Sequence, residues 1–131
     1  MMLFEVLPAV AAAGMVVASV SVAVMPEKRR PHLWLVPAAL SALFLVWSIF
    51  TIVVEGPTGF WANHTVNAWG NQVWFDLLLA IGTAYALLVP DARRVGMRPL
   101  PWLGLILCTG CIGLLAMVSR YQFLKQKKEP S

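Results

Sequence analysis

The chain has 131 residues, of which 60% are hydrophobic and only 12% are charged; its mean hydropathy is +0.75 and its formal net charge is +4. These values exclude an ordinary soluble domain, in which about 25% of residues are charged. The lysines and arginines stand in short clusters at the ends of apolar runs, where they act as topology signals and contact lipid headgroups rather than nucleic acid. The composition predicts one all-α integral membrane domain over residues 1 to 131, with about four spans.

The first apolar run covers residues 6 to 25. Gly14 and Ala18 in this run are four residues apart, a spacing that lets two helix backbones approach closely, although alanine and glycine are also common in spans generally. Positive charges follow the run and none precedes it, which is opposite to their order in a signal peptide. We therefore expect a retained membrane span.

The second apolar run covers residues 33 to 54 and follows a basic turn at residues 26 to 32. Prolines in that turn break any helix that would continue through it. Pro37 falls in the first turn of the next helix, where proline costs little. The pattern predicts a second span that ends at Glu55.

Residues 56 to 72 form a long polar connection in which tryptophans alternate with asparagines and glycines. Tryptophan is typical of the membrane interface, where both its apolar ring and its N–H can be satisfied. We expect a short interfacial helix or a folded loop on the bilayer surface. The residues predicted to offer binding contacts there are Trp61, Trp69, Asn71 and Trp74.

A third span is predicted over residues 73 to 90 and a fourth over residues 101 to 119. A second basic turn bracketed by prolines separates them, and residues 120 to 131 form a basic tail. The expected architecture is a polytopic, antiparallel bundle of four transmembrane helices.

The lysines and arginines of the short loops predict the orientation, because they accumulate on the cytoplasmic side. The six that act as topology signals and lipid contacts are Lys28, Arg29, Arg30, Arg93, Arg94 and Arg98. The amino terminus and the second loop hold none. We expect a multi-pass protein of a cell membrane, the inner membrane of a bacterium, with both termini outside the cytoplasm. Four basic residues of the tail oppose this assignment, since they would then lie outside: Arg120, Lys125, Lys127 and Lys128.

Asp76 is the residue of the predicted third span whose burial in a membrane has the largest free-energy cost. An ionised acid costs roughly 2.5–3.5 kcal/mol at the centre of a span and less toward the interface. Ala80 and Thr83 share its helical face, and this small, slightly polar stripe favours a carboxylate that faces other helices. The alternative is an acid that caps the first turn of the helix or meets lipid headgroups.

Glu55, His64 and Asp76 would gather at one outer mouth of an antiparallel bundle. Two carboxylates there could act as acid and base, and a histidine could shuttle protons. One histidine with two acids does not make a good metal site, so we expect no metal. No cofactor is indicated.

Cys108 and Cys111 form a CxxC, the spacing of redox dithiols in which a helical turn brings two sulfurs together. Four-helix membrane oxidoreductases such as the vitamin K epoxide reductases carry a CxxC in a late span. Those enzymes also use a second cysteine pair in a loop, and this sequence has none. The favoured interpretation is that both cysteines are small packing residues.

Asn71, the triplet Asp76-Leu77-Leu78 and the turn DARRVGMR at residues 91 to 98 resemble an uncharacterised bacterial family of small membrane proteins. The resemblance covers residues 55 to 125 and implies a span carrying an acid, a basic turn and a final apolar helix. The family has Asn-Pro where this chain has Asn71-Gln72, and a shorter amino-terminal part. A looser likeness is to the neoxanthin-synthase-like membrane proteins of carotenoid metabolism. Neither implies an activity for this chain.

We expect a non-catalytic structural or interaction subunit of a membrane assembly, because the chain is short and no set of residues completes a known reaction. One alternative is a membrane enzyme or binder for an isoprenoid or carotenoid-like lipid that uses Asp76 and Glu55. Another is a dithiol–quinone oxidoreductase that uses Cys108 and Cys111. The expected partners are membrane lipids and either another protein or a second copy of the chain, with no nucleic acid.

Overall fold

A computed structural model describes residues 2 to 24 and 32 to 128 of the chain. Helices and the turns between them account for these residues, and no strand occurs among them, which confirms the all-α prediction. The helices are α1 (Met2–Val24), α2 (Leu35–Glu55), α3 (Gly59–Thr65), α4 (Ala68–Arg94), α5 (Pro99–Thr109) and α6 (Cys111–Lys128). The predicted topology residues Lys28, Arg29 and Arg30 lie outside the described residues.

Three of these helices are long and apolar enough to cross a membrane: Val6–Val24, Leu35–Glu55 and Ala68–Arg94. Their mean hydropathies are 2.1, 2.2 and 1.8, and almost none of their side chains is buried. They correspond to the first three predicted spans. The chain divides into two compact units, residues 1 to 30 and residues 31 to 131, so α1 belongs to one unit and the other five helices to the second.

The fourth predicted span, residues 101 to 119, is not one continuous helix. Pro99 begins α5, Thr109 ends it, and Gly110 interrupts the chain before α6. Gly110 has a φ of 61°, a left-handed conformation that glycine adopts readily and other residues rarely do. Its N–H donates to the carbonyl of Ile106 at 2.6 Å. A glycine in the middle of the apolar run therefore ends one helix where hydropathy alone predicts a continuous span.

Helix α6 folds back against α5. A Cβ atom placed on Gly113 would lie 2.8 Å from Thr109 Oγ1, 2.9 Å from Ile106 N and 3.0 Å from Ile106 Cα. Backbones come this close only where a side chain is missing. Because Ile106 precedes Gly110 and Gly113 follows it, the two helices form a helical hairpin that reverses at Gly110.

Helix α6 also runs antiparallel to α2, and two serines fix the register. Ser119 Oγ donates to the carbonyl of Trp34 at 2.9 Å, and Ser41 Oγ donates to the carbonyl of Ile112 at 2.9 Å. Each pair of residues on one helix is seven positions apart, and the order is opposite on the two helices. Both serines are buried, so small polar side chains hold the closest contact between two largely apolar helices.

The core lies where the end of α4, the following turn and the α5–α6 hairpin meet. Its buried hydrophobic residues are Ala92, Met97, Ile106 and Met117. Gly96 shapes the turn with a φ of 87°, its N–H donates to the carbonyl of Arg93, and the Met97 N–H donates to the carbonyl of Ala92. These bonds satisfy the last carbonyls of α4 in the manner of a glycine-capped helix end. The turn thereby carries Met97 into the core.

The end of α6 lies beside the end of α4. Lys128 Nζ donates to the carbonyl of Arg94 at 3.0 Å, and Ser119 meets Trp34 at the beginning of α2. The sequence predicts the tail and the second basic turn at opposite ends of the bundle, and this prediction is wrong. The reversal at Gly110 brings both to the same end, which we call the basic end.

Candidate functional site

The junction between α3 and α4 contains two of the polar residues that the sequence singles out, His64 and Asn71. Asn67 has an extended backbone and its Oδ1 accepts from the Gly70 N–H at 2.8 Å, so it is the N-cap of α4. Asn71 Nδ2 donates to the carbonyl of His64 at 2.9 Å, which ties the end of α3 to the first turn of α4. The predicted binding residue Asn71 therefore stabilises this junction.

His64 is part of the same junction. Its Nδ1 lies 3.3 Å from the carbonyl of Gly70, and its ring stacks on Trp74 with a centroid distance of 5.0 Å. Phe60 also contacts Trp74, at 6.3 Å. A Cβ on Gly70 would collide with the carbonyl oxygen of Asn63, so only glycine permits this approach of α3 to α4. His64 and Trp74 thus form the centre of a small folded cap.

The remaining tryptophans of this region are largely exposed. Trp61 is 58% exposed and Trp69 is 79% exposed. Trp61 contacts the ring of Phe60 edge-on at 6.5 Å. Exposed tryptophans beside the ends of two apolar helices match the interfacial location that the sequence predicts.

The predicted acid–base residues Glu55, His64 and Asp76 are not paired directly with one another among the described residues. Both carboxylates are exposed, and in the part of the chain that the structure describes the three side chains share no hydrogen bond or ion pair. Groups of three or more histidine, cysteine, aspartate or glutamate residues that could hold a metal ion are also absent from the described residues.

Asp76 lies on an exposed, otherwise apolar face of α4. The members of this face follow helical spacing, and we call them the Asp76 face: Asp76, Leu79, Ala80, Thr83 and Leu87. Leu79 is 71% exposed and Leu87 is 74% exposed. The sequence predicts this stripe to face other helices, yet it faces away from the helices packed against α4. The half-buried residues Ile81, Tyr85 and Leu88 occupy the packed side of the helix.

The carboxylate of Asp76 makes no hydrogen bond and no ion pair with any residue between 32 and 128 that the structure describes. The first turn of α4 is capped by Asn67, so Asp76 does not serve as its cap. An acid on an apolar helix surface without a partner is costly inside a membrane. In the described part of residues 31 to 131, the Asp76 face is therefore an exposed surface.

Cys108 and Cys111 lie on either side of the break at Gly110. Cys108 is exposed near the end of α5, Cys111 begins α6 and is half-buried, and both thiols are free. The redox interpretation assumes that one continuous helical turn carries both cysteines. Because the helix is interrupted at Gly110, Cys108 and Cys111 do not lie on one continuous helical turn.

The second basic turn is largely solvent-facing. Arg94 Nη1 pairs with Asp91 Oδ1 at 3.0 Å, but the Arg94 side chain is 80% exposed, and exposed pairs of this kind contribute little stability. Arg93 and Arg98 are exposed as well. These positions agree with contacts to solvent or lipid headgroups.

Sequence reasoning missed a cluster at the carboxyl-terminal part of α6. Arg120 Cζ lies 5.7 Å and Lys127 Nζ lies 5.4 Å from the centroid of the Phe123 ring. Trp34 contacts the same ring edge-on at 5.3 Å. Arg120 and Lys127 lie three and four residues from Phe123, and this helical spacing predicts that both cations approach its ring. The contact of Phe123 with Trp34 arises only because α6 folds back against α2.

No family model, no curated protein and no solved structure matches this chain. The resemblance to the bacterial membrane family therefore stays a prediction.

Proposed function

We propose that this protein is a non-catalytic subunit of a membrane assembly and that it binds a partner helix along the Asp76 face. The observation that carries the proposal is the exposed carboxylate of Asp76, unpartnered among described residues, on a helix apolar enough to span a membrane. In hydrocarbon such a group is stabilised by a hydrogen-bond donor or a positive charge from a neighbouring helix. A partner helix that presents either group meets this requirement.

The side chains around Asp76 suit close helix contact. Ala80 and Thr83 are small and exposed, and small residues allow two backbones to approach in a membrane. A Cβ on Gly82 would meet nothing within 4 Å, so this part of α4 is open. The two alternative functions lack comparable support, because no hydrogen bond or ion pair joins Glu55 to Asp76 and the two cysteines flank a helix break.

In the membrane we propose three full spans, α1, α2 and α4, with the α5–α6 hairpin as a fourth, re-entrant element of an antiparallel bundle. The basic end carries Arg93, Arg94, Arg98 and the lysines of α6, and we assign it to the cytoplasmic side of a bacterial inner membrane. The carboxyl-terminal tail then lies in the cytoplasm, while the charge pattern of the sequence keeps the amino terminus outside.

A reporter fused after residue 131 tests this orientation. Green fluorescent protein is expected to fluoresce there, and alkaline phosphatase at the same position is expected to be inactive, because it folds only outside the cytoplasm. The reverse pattern would place the tail outside and overturn the assignment.

Two adjacent leucines offer a matched test of the subunit proposal. Leu79 belongs to the Asp76 face, whereas Leu78 is exposed on another side of α4. After mild detergent extraction, native mass spectrometry of the parent protein is expected to show a fixed-ratio partner or a homo-oligomer. Leu79→Trp is expected to lose that species, and Leu78→Trp to retain it.

A parent protein that is recovered only as a monomer would contradict the subunit proposal. Equal loss in both tryptophan variants would show that the partner does not use the Asp76 face. Circular dichroism of both variants checks that the helices remain intact.

A further inference from the structure

A groove of about 510 Å³ runs between α2 and α6, and the part of it nearest the basic end is lined by Trp34, Arg120 and Phe123. Its volume is within the roughly 300–1,000 Å³ of small-molecule sites. Small side chains of both helices, Ala38 and Ala42 on α2 and Ala116 on α6, leave the space between them, and Leu45 lies along it. The groove is thus a product of alanines opposite one another in an antiparallel helix pair.

The floor of this groove is effectively apolar although it contains two serines. Ser41 and Ser119 both line it, but each hydroxyl proton is donated to a backbone carbonyl of the opposite helix. A ligand here meets methyl groups and a leucine rather than unsatisfied donors. Such walls suit an alkyl chain.

The mouth of the groove is positively charged and aromatic. Arg120 and Phe123 line it beside Trp34, and the guanidinium of Arg120 and the ammonium of Lys127 both lie within 6 Å of the Phe123 ring. Among residues 32 to 128, neither cation pairs with a carboxylate. Tryptophan with arginine and lysine at the end of apolar helices is typical of the headgroup level of a bilayer.

We propose that this groove binds one anionic phospholipid, with an acyl chain along the alanines and the phosphate between Arg120 and Lys127. The groove complements both parts of such a lipid. An alkyl chain matches the apolar walls, and a phosphate matches two cations that have no described carboxylate partner. The inference is independent of the partner proposed for the Asp76 face, which is a different surface on α4.

Native mass spectrometry of the full chain in nanodiscs tests the site. Bound phosphatidylglycerol is expected in preference to phosphatidylcholine in the parent protein. The double substitution R120Q/K127Q is expected to weaken phosphatidylglycerol binding about 30-fold, since each cation near an anionic lipid contributes roughly fivefold. The control K125Q/K128Q loses the same charge from two exposed lysines of α6 that do not line the groove, and it is expected to retain most of the binding.

A second pair of variants tests the groove without changing charge. Ala42→Trp fills it, whereas Ala39→Trp is exposed on α2 outside it. Only Ala42→Trp is expected to displace the lipid. Equal binding of both lipids by the parent, equal losses in R120Q/K127Q and K125Q/K128Q, or full retention in Ala42→Trp would each overturn the proposal.

Discussion

Two surfaces of the molecule can be compared: the contact between α2 and α6, and the Asp76 face of α4. Both place isolated polar side chains on apolar helices. In the first, Ser41 and Ser119 are buried and donate to carbonyls across the interface. In the second, Asp76 is exposed and no described residue binds it. Among the described residues, the polar groups of the first surface are thus satisfied by a neighbouring helix, and the carboxylate of the second is not.

The comparison also predicts that the two surfaces tolerate different side chains. The hairpin and the α2–α6 contact are complementary because glycine, alanine and serine let backbones approach. The Asp76 face has small residues too, but nothing in residues 32 to 128 packs on them. Substitutions should consequently damage the isolated chain at the first surface and spare or improve it at the second.

The largest effect is expected for Gly113→Leu. The new side chain would meet Thr109 and Ile106 at distances that atoms do not adopt, so α5 and α6 must separate. Overpacking of this kind costs about 3 kcal/mol or more in the free energy of unfolding. Thermal or denaturant unfolding in detergent, followed by circular dichroism, measures the loss.

Gly104→Ala is the matched control for that variant. Gly104 lies within α5, and a Cβ there would meet nothing within 4 Å. Because alanine favours a helix by up to about 1 kcal/mol over glycine, this variant is expected to be as stable as the parent or slightly more so. A Gly113→Leu protein as stable as Gly104→Ala would show that the hairpin is not closely packed.

Asp76→Leu is expected to raise the free energy of unfolding, whereas Gly113→Leu is expected to lower it. Removal of an unpartnered acid from an apolar helix surface should stabilise the isolated chain in lipid by about 1–3 kcal/mol. The same substitution should abolish the fixed-ratio partner or oligomer. Unfolding in lipid bicelles and native mass spectrometry check the two results.

Asp76→Asn separates charge from hydrogen bonding in this prediction. If the partner contributes a cation, the asparagine variant should lose it; if the partner contributes only a hydrogen-bond donor, asparagine should keep much of the binding, since its carbonyl still accepts. An Asp76→Leu chain that is less stable than the parent would mean that the carboxylate has a partner within the chain.

Hydropathy predicts the first three long helices because their apolar runs are uninterrupted, and the all-α class follows from them. It fails at residues 101 to 119, where the deciding residue is Gly110. A glycine inside an apolar run is tolerated in many membrane helices, so its left-handed conformation is visible only once α6 packs against α2. The wrong prediction for the position of the basic tail has the same cause, because the chain reverses direction at Gly110.

At the candidate site, too, the sequence predicts part of the arrangement and misses the rest. The sequence singles out Asp76 because an acid in a span is costly in any arrangement. His64 and Asn71 attract attention for their chemistry, whereas their role in joining α3 to α4 depends on Gly70, whose close approach to Asn63 no local pattern indicates. The pairing of Trp34 with Phe123 joins residues far apart in the chain, and only the antiparallel register of α2 and α6 creates it.

The smallest effect is expected for Ser119→Ala. This substitution removes the hydrogen bond to Trp34 but keeps a small side chain, so α2 and α6 still approach. Hydrogen bonds between membrane helices contribute about 0.6 kcal/mol on average and about 1.7 at most, and a loss in that range is expected in denaturant unfolding. Thr51→Val is the control, because the Thr51 hydroxyl donates only to its own helix, at Trp47. If the two variants lose equal stability, the register of α2 against α6 does not depend on the serine, and the small residues alone set the contact.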